Sequence, residues 1–325
     1  MRRSSPQSRS STADPVLPTP LEIEEARARW RELAGADAGL GPIAAFHDER
    51  LAQLLSGSAP DIDLSLSPAD AERAIAAGEP LLAAGSLAFD DDELADELGH
   101  VARNLSETAL VGTPAHDTAT KLAETKVDVA ALALPALQND LPAVERAAAS
   151  LGVDATALGE LVQLALQPIL WEASRQAAAL TELDRWERGY CLCCGAWPGL
   201  AELIGTEKRR VLRCVRCGSG WSWLVLLCPY CGTDDHRDLG ILELGPDETG
   251  GVESRGHRID VCERCHGYVK AVQTFTSNSA VRLVAEDVAT LYLDAAATQA
   301  GYRRPGDVDA QTAGIPRLAR EGRSV

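Results

Sequence analysis

Apolar side chains recur three and four residues apart through the first half of the chain, the period of a helix with one buried face. Ile23, Ala26, Trp30 and Leu33 set this pattern, and Thr19, Pro20 and Glu22 supply a capping box with proline at the first helical position; Gly35 marks the end. The same reasoning predicts helices over 42–55, over 68–77 with Ser67 as cap, and over 92–105, 118–134 and 141–150. A longer helix is predicted over 155–186, bent at Pro168. Period-two alternation is nearly absent before residue 190, so this part reads as an all-α bundle. After Tyr190 the pattern changes to short β-prone runs at 211–213, 221–227, 241–244 and 268–275. A last helix over 281–299 would bury Val284, Val288, Leu291 and Ala295 and pack back onto one of the other two units.

These elements predict an α+β multidomain chain. It comprises a disordered segment 1–17, an α-helical domain 18–187, metal ribbons at 188–225 and 226–277, a closing helix 278–301 and a flexible tail 302–325. Composition sharpens the division. Trp30, Phe46 and Phe89 are the aromatics before residue 171, whereas eleven lie from Trp171 to Tyr302 in the stretch that holds all nine cysteines. The formal charge of −17 disfavours a chain built to grip nucleic-acid phosphates or an anionic membrane. Arg2 and Arg3 are followed by no apolar run of an export signal, and no stretch approaches the ~18 apolar residues of a membrane span. A reducing cytoplasm is therefore expected.

Eight cysteines form four C-x-x-C pairs: Cys191/Cys194, Cys214/Cys217, Cys228/Cys231 and Cys262/Cys265. Two sulfurs three positions apart grip one ion only if the backbone turns sharply, and Gly195, Gly218, Gly232 and Gly267 stand where φ > 0 would let amides point back at sulfur. A rubredoxin-like or zinc ribbon takes one knuckle from each of two hairpins, so pairing in chain order predicts two tetrahedral sites of four cysteines each. The first is Cys191, Cys194, Cys214 and Cys217; the second is Cys228, Cys231, Cys262 and Cys265. Zinc and iron suit four thiolates about equally. Iron–sulfur clusters also use four cysteines, while disulfides or a thioredoxin-like pair lack a βαβ setting here. Structural zinc contributes on the order of 10–16 kcal/mol, so this region should not fold without metal.

Four thiolates on a divalent ion leave a charge near −2, and Arg216 and Arg264, inside the second and fourth pairs, are expected to offset one site each. Cys262, Cys265 and His266 also spell the c-type haem signal, which the three similar pairs and missing export signal argue against. His236 and His257 are read as loop histidines and Cys193 as a spare thiol, packed or solvent-facing. Lys208, Arg209, Arg210, Arg213 and Arg216 would give the first ribbon a basic surface, solvated or open to nucleic acid or an acidic partner. Asp287, Thr290 and Asp294 share a polar stripe on the last helix, read as a solvated or partner-docking face.

The order of the four pairs resembles the formate dehydrogenase accessory protein family, FdhE, when taken with Trp221 four residues beyond Cys217. So do the runs CERCHGYVK (262–270), AEDVATLYLD (285–294) and GYRR (301–304). The likeness covers roughly residues 186–306 and is faint over the helical half. It implies a cytoplasmic, non-catalytic factor that assembles or activates a respiratory formate dehydrogenase and contacts its catalytic subunit before export. The resemblance also implies iron on the eight cysteines. Gly220 and Ser222 stand where the family often has Glu and His, Glu286 replaces an Asp, and His266 is unusual. A thiol or iron redox protein and a zinc-ribbon nucleic-acid-binding protein are the competing functions.

Overall fold

The computed structural model describes residues 18–57, 60–138, 140–181, 185–242, 244 and 256–305; the disorder expected of 1–17 and the tail beyond 305 lie outside them. Helix α1 (Pro20–Ala36) begins with the predicted capping box, Thr19 N–H donating to Glu22 Oε2 at 2.7 Å. It is followed by α2 (Gly41–Ser56), α3 (Pro68–Ala77), α4 (Leu81–Ala84), α5 (Asp91–Thr108) and α6 (Pro114–Glu124). Next come α7 (Val129–Gln138), α8 (Leu141–Leu151) and α9 (Ala155–Ala178). The predicted helix over 118–134 is thus two. Thr113 and Pro114 start α6 a turn early, and the Asp128 carboxylate accepts the Ala131 N–H at 3.2 Å to start α7.

α9 ends at Ala178, short of the predicted 186. Pro168 lies inside it and has no N–H for the Leu164 carbonyl four residues back; the buried Arg50 guanidinium donates to that carbonyl and, at 2.8 Å, to Gln167 Oε1. The helical half also holds a two-stranded antiparallel sheet that its pattern does not announce, β1 (Ile62–Ser65) against β2 (Ser86–Phe89). Each strand has four residues, and two helices intervene between them in the chain.

The C-terminal strands are β3 (Leu200–Ile204), β4 (Arg209–Arg213), β5 (Gly220–Ser222), β6 (Leu239–Leu242), β7 (His257–Cys262) and β8 (Gly267–Thr274). They form one sheet in the order β5-β4-β3-β8-β7-β6. Within each ribbon the pairing is antiparallel, whereas β3 and β8 are parallel, with Ala201 opposite Ala271 and Ile204 opposite Thr274. The edges of the two ribbons therefore join into one surface. Their knuckles also meet closely: a Cβ on Gly189 would lie 1.7 Å from the Pro229 carbonyl oxygen, so only glycine fits.

The predicted closing helix is two, α10 (Ala280–Ala289) and α11 (Leu291–Gln299), broken where the buried Thr290 hydroxyl donates to the Glu286 and Asp287 carbonyls at 2.8 and 3.0 Å. The break changes which faces are buried. Ala285, Leu293 and Ala297 are fully covered, while Leu291 and Ala295 are exposed, contrary to the single-helix pattern. α10 packs with Trp30 and Trp171, and α11 with Ile259 and Tyr268, so the pair touches both the helical part and the sheet. A single apolar cluster runs from Leu98 and Leu166 in the helices to Leu212 and Val269 in the sheet.

Candidate metal centres

The four knuckles converge in chain order. Cys191 Sγ lies 3.5 Å from Cys217 Sγ and Cys194 Sγ 3.5 Å from Cys214 Sγ; the Cys228–Cys265 and Cys231–Cys262 separations are 3.7 Å. Within each group all four sulfurs lie within 4.8 Å of one another. A tetrahedron with metal–sulfur bonds of ~2.3 Å separates its sulfurs by ~3.8 Å, so the donor sets fit one ion each, and zinc or iron would be held equally. All nine cysteines are free thiols, since these gaps far exceed the ~2.05 Å of a disulfide. Bound there, the ion would cross-link a loop knuckle, Cys191/Cys194 or Cys228/Cys231, to the turn of the β4–β5 or β7–β8 hairpin.

Electrostatics also favour a cation in each group. Cys228 is pushed down to about 5, first by the hydrogen bond from Cys265, with burial opposing and the Cys231 and Tyr230 amides assisting. Cys231 is pushed up to about 11 by burial, and Cys265 upward by its bond to Cys228. In the first group burial raises Cys191, while at Cys217 burial is overcome by hydrogen bonds from four neighbouring thiols that lower it. The thiolate form is favoured at Cys217 and Cys228, and a bound cation would stabilise it at the raised thiols of each group.

The knuckle turn has the expected form at three places, φ being +76° at Gly195, +76° at Gly218 and +71° at Gly232. At the fourth, the left-handed residue is His266, φ +53°, and Gly267 is not in that region. Gly267 is needed for a different reason: a Cβ there would meet Tyr230 Cδ2 at 2.5 Å. This corrects the reading of Gly267 as the turn residue and accounts for the C-x-x-C-H string without haem. Cys262 and Cys265 belong to the second sulfur group, and the His266 ring stands 6.1 Å from that of Tyr302.

The two sites differ in exposure. Every cysteine of the first is buried, whereas in the second Cys231 is half-buried and Cys265 exposed. The first knuckle sits on the helical part, its Leu192 and Cys193 carbonyls accepting the Leu81 and Leu82 amides at 2.8 and 3.0 Å. Cys193 is packed inside, hydrogen-bonded to Cys217 and Ser174, and stands outside the four-sulfur group. Ser219, 3.2 Å from Cys217 Sγ and 2.5 Å from the Ser174 hydroxyl, completes this polar lining, which no sequence motif marks.

Arg216 does not compensate the first site. Arg216 turns away into the helices, donating to Gln163 Oε1 at 2.7 Å and to the Ala136 and Leu137 carbonyls at 2.6 and 3.1 Å, which lack helical partners at the end of α7. Arg264 is exposed. The basic cluster is likewise dispersed. Arg210 is buried 3.3 Å from Asp260, and Arg213 is buried 2.6 Å from Glu202 and bonded to the Gly218 and Asn278 carbonyls; Lys208 and Arg209 remain exposed. His236 is exposed, and His257 Nδ1 lies 2.8 Å from the Tyr292 hydroxyl; neither joins a sulfur group.

The polar stripe of the last helix is also reassigned. Asp287 and Asp294 close around the fully buried Lys270 of β8, at 2.8 and 2.7 Å, and Thr290 is buried between them in sequence. Arg304 Nη2 and the Tyr268 hydroxyl reach Asp294 Oδ1 at 2.6 and 2.9 Å. The runs 262–270, 285–294 and 301–304 therefore meet in one ionic network centred on the buried Lys270.

Residues 227–308, which include this network and the second sulfur group, match the family described as FdhE, C-terminal domain. That stretch is FdhE-like. Among curated relatives, the Protein FdhE homolog of Aquifex aeolicus is 31% identical over 142 residues, 42% of this chain and 46% of that protein. The homolog of Shewanella baltica is 32% identical over 120 residues, 36% of each chain, and that of Rhizobium meliloti 30% over 140 residues, 42% and 44%. The matched stretch spans less than half the length of these relatives. The crystal structure of the FdhE protein from Pseudomonas aeruginosa superposes with a TM-score of 0.58 at 20% identity, covering 89% of this chain and 95% of that one. The FdhE-like fold thus extends through the helical half, where sequence likeness is faint.

Proposed function

We propose that this FdhE-like chain is an accessory protein for the assembly or activation of a respiratory formate dehydrogenase. It acts in the cytoplasm and binds the catalytic subunit before export. The observation that carries the reading is the match over 227–308, with its second sulfur group and the Lys270–Asp287–Asp294–Arg304 network. The eight paired cysteines would hold two zinc or iron ions, each supplying a cross-link between a loop knuckle and a hairpin and no catalytic step. Among the described residues no single helix is long and apolar enough to cross a membrane. The inward turn of Arg210, Arg213 and Arg216 removes the basic surface that motivated a nucleic-acid partner.

Affinity capture of the tagged chain, from cells making formate dehydrogenase and in buffers that keep metal bound, tests this reading. Recovery of the catalytic subunit is expected, and its consistent absence would sink the proposal. The exposed sulfur of Cys265 favours a second reading, an iron centre at the second site that exchanges electrons. That reading requires reversible reduction of the purified protein, with a spectral change lost in Cys265→Ser.

A further inference from the structure

Helix α7 carries one polar side chain, Gln138, in ten residues, and a helix apolar all round is normally covered on every side. Here Leu132, Ala133 and Ala136 are buried, but Ala130, Ala131 and Leu134 face outward, Leu134 being 58% exposed. Pro135 and Ala136 of the same helix line a cavity of about 650 Å³ between α7, α8 and α9, together with apolar groups such as Leu141, Val144 and Leu164. Leu141, at the start of α8, is half exposed on its rim. The Arg216 guanidinium closes one end and is already bonded to Gln163 and the α7 carbonyls.

Charge specifies what would cover this face. Residues 18–187 hold 30 acidic and 11 basic side chains, a net −19, so the remainder of the chain is slightly basic. Glu160 lines the cavity and is exposed, without a hydrogen-bond or ion-pair partner among the described residues. An unpaired carboxylate on an apolar groove within a strongly acidic domain is complementary to a cation carried on an apolar surface.

We propose that the α7–α8–α9 groove binds an amphipathic helical segment of a partner polypeptide, apolar on one face and lysine- or arginine-bearing beside it. Leucine-type side chains at helical spacing would cover Leu141 and Val144, with a basic group over Glu160. This goes beyond the formate dehydrogenase reading and holds whichever protein supplies the segment, so failure of the capture experiment leaves it standing.

The test uses the full metal-loaded chain and a fluorescent 15-residue helical peptide of Leu, Ala and Lys, with Leu at i, i+3, i+4 and i+7. Saturable one-to-one binding is expected, at least tenfold weaker when Lys is replaced by Glu and at least tenfold weaker when Leu is replaced by Ser. Leu141→Ser and Glu160→Lys should each weaken binding fivefold or more. Glu93→Lys, on α5 away from the groove, serves as the charge control and should change binding less than twofold. Metal content and thermal midpoint show that each variant is folded. Equal affinity for the Leu-free peptide, indifference to Leu141→Ser and Glu160→Lys, or absence of saturable binding each overturns the proposal. A dimer that is lost in Leu141→Ser would also overturn it, because the occupant would then be a second copy.

Discussion

The Lys270 ammonium lies 2.7 Å from Asp294 Oδ2 inside the protein, and 2.8 Å from Asp287 Oδ1, with none of its side chain exposed. This contact fastens β8 to both halves of the broken closing helix. Removing one partner of a buried pair leaves uncompensated charge and costs ~3–5 kcal/mol. Lys270→Met should therefore lower the thermal midpoint sharply at unchanged metal content of the folded fraction. Wild-type stability in that variant would show that the two aspartates are solvated and the network weak.

How much of this was legible depends on the range of each interaction. The C-x-x-C knuckles and the Thr19 cap are local, so spacing alone identifies them. Chain-order pairing of the sulfurs followed from hairpin geometry. Arg216 shows the limit: its position between two ligands predicts charge compensation, yet its partners are carbonyls some 80 residues earlier, at the end of a helix whose own boundaries were hidden. Asp287 and Asp294 look like a surface stripe because the lysine between them comes from a strand in another unit. The fusion of the ribbons through β3 and β8 leaves no local trace, since parallel edges pair through backbone groups common to every residue.

His266 occupies the left-handed turn position that glycine fills in the other three knuckles. That conformation costs a non-glycine residue ~1–2 kcal/mol, and glycine returns ~0.5–1 kcal/mol through its freer unfolded chain. His266→Gly should stabilise the metal-loaded protein by about 0.5–1 kcal/mol, read as a higher midpoint in denaturant. A lower midpoint would show that the ring's contact with Tyr302 outweighs the backbone strain.

The unequal covering of the two sulfur groups predicts two rates of metal loss. A chelator reaches the second site through exposed Cys265 and half-buried Cys231, whereas the first opens only when the sheet parts from the helices. Release followed with a colorimetric chelator should be biphasic, with one equivalent per phase. Cys265→Ser should remove or accelerate the fast phase and leave the slow one intact. Simultaneous loss of both ions would mean that the joined sheet opens as one unit. Complete removal should abolish the folded C-terminal region, seen as a red shift of the summed tryptophan emission as buried Trp186 and Trp221 meet water.

His47 is stacked on Trp30 with ring centroids 4.3 Å apart, and burial, reinforced by the Arg50 charge, pushes its imidazole down to about 3. The unfolded chain takes up a proton near pH 6.5, while the folded protein resists until about 3. The neutral ring's contribution is therefore complete above pH 6.5 and is lost as pH falls through the window from 6.5 to 3. The slope approaches ~1.4 kcal/mol per pH unit within that window. His47→Phe keeps an aromatic ring against Trp30 and removes the titration. Between pH 7.5 and 5.5 the wild type should lose about 1–1.5 kcal/mol more stability than this variant. Metal content measured at both pH values separates this from proton competition for the thiolates, which both proteins share. Parallel pH profiles would place the His47 proton uptake outside the folding equilibrium and remove the buried neutral histidine from the account of the α1–α2 contact.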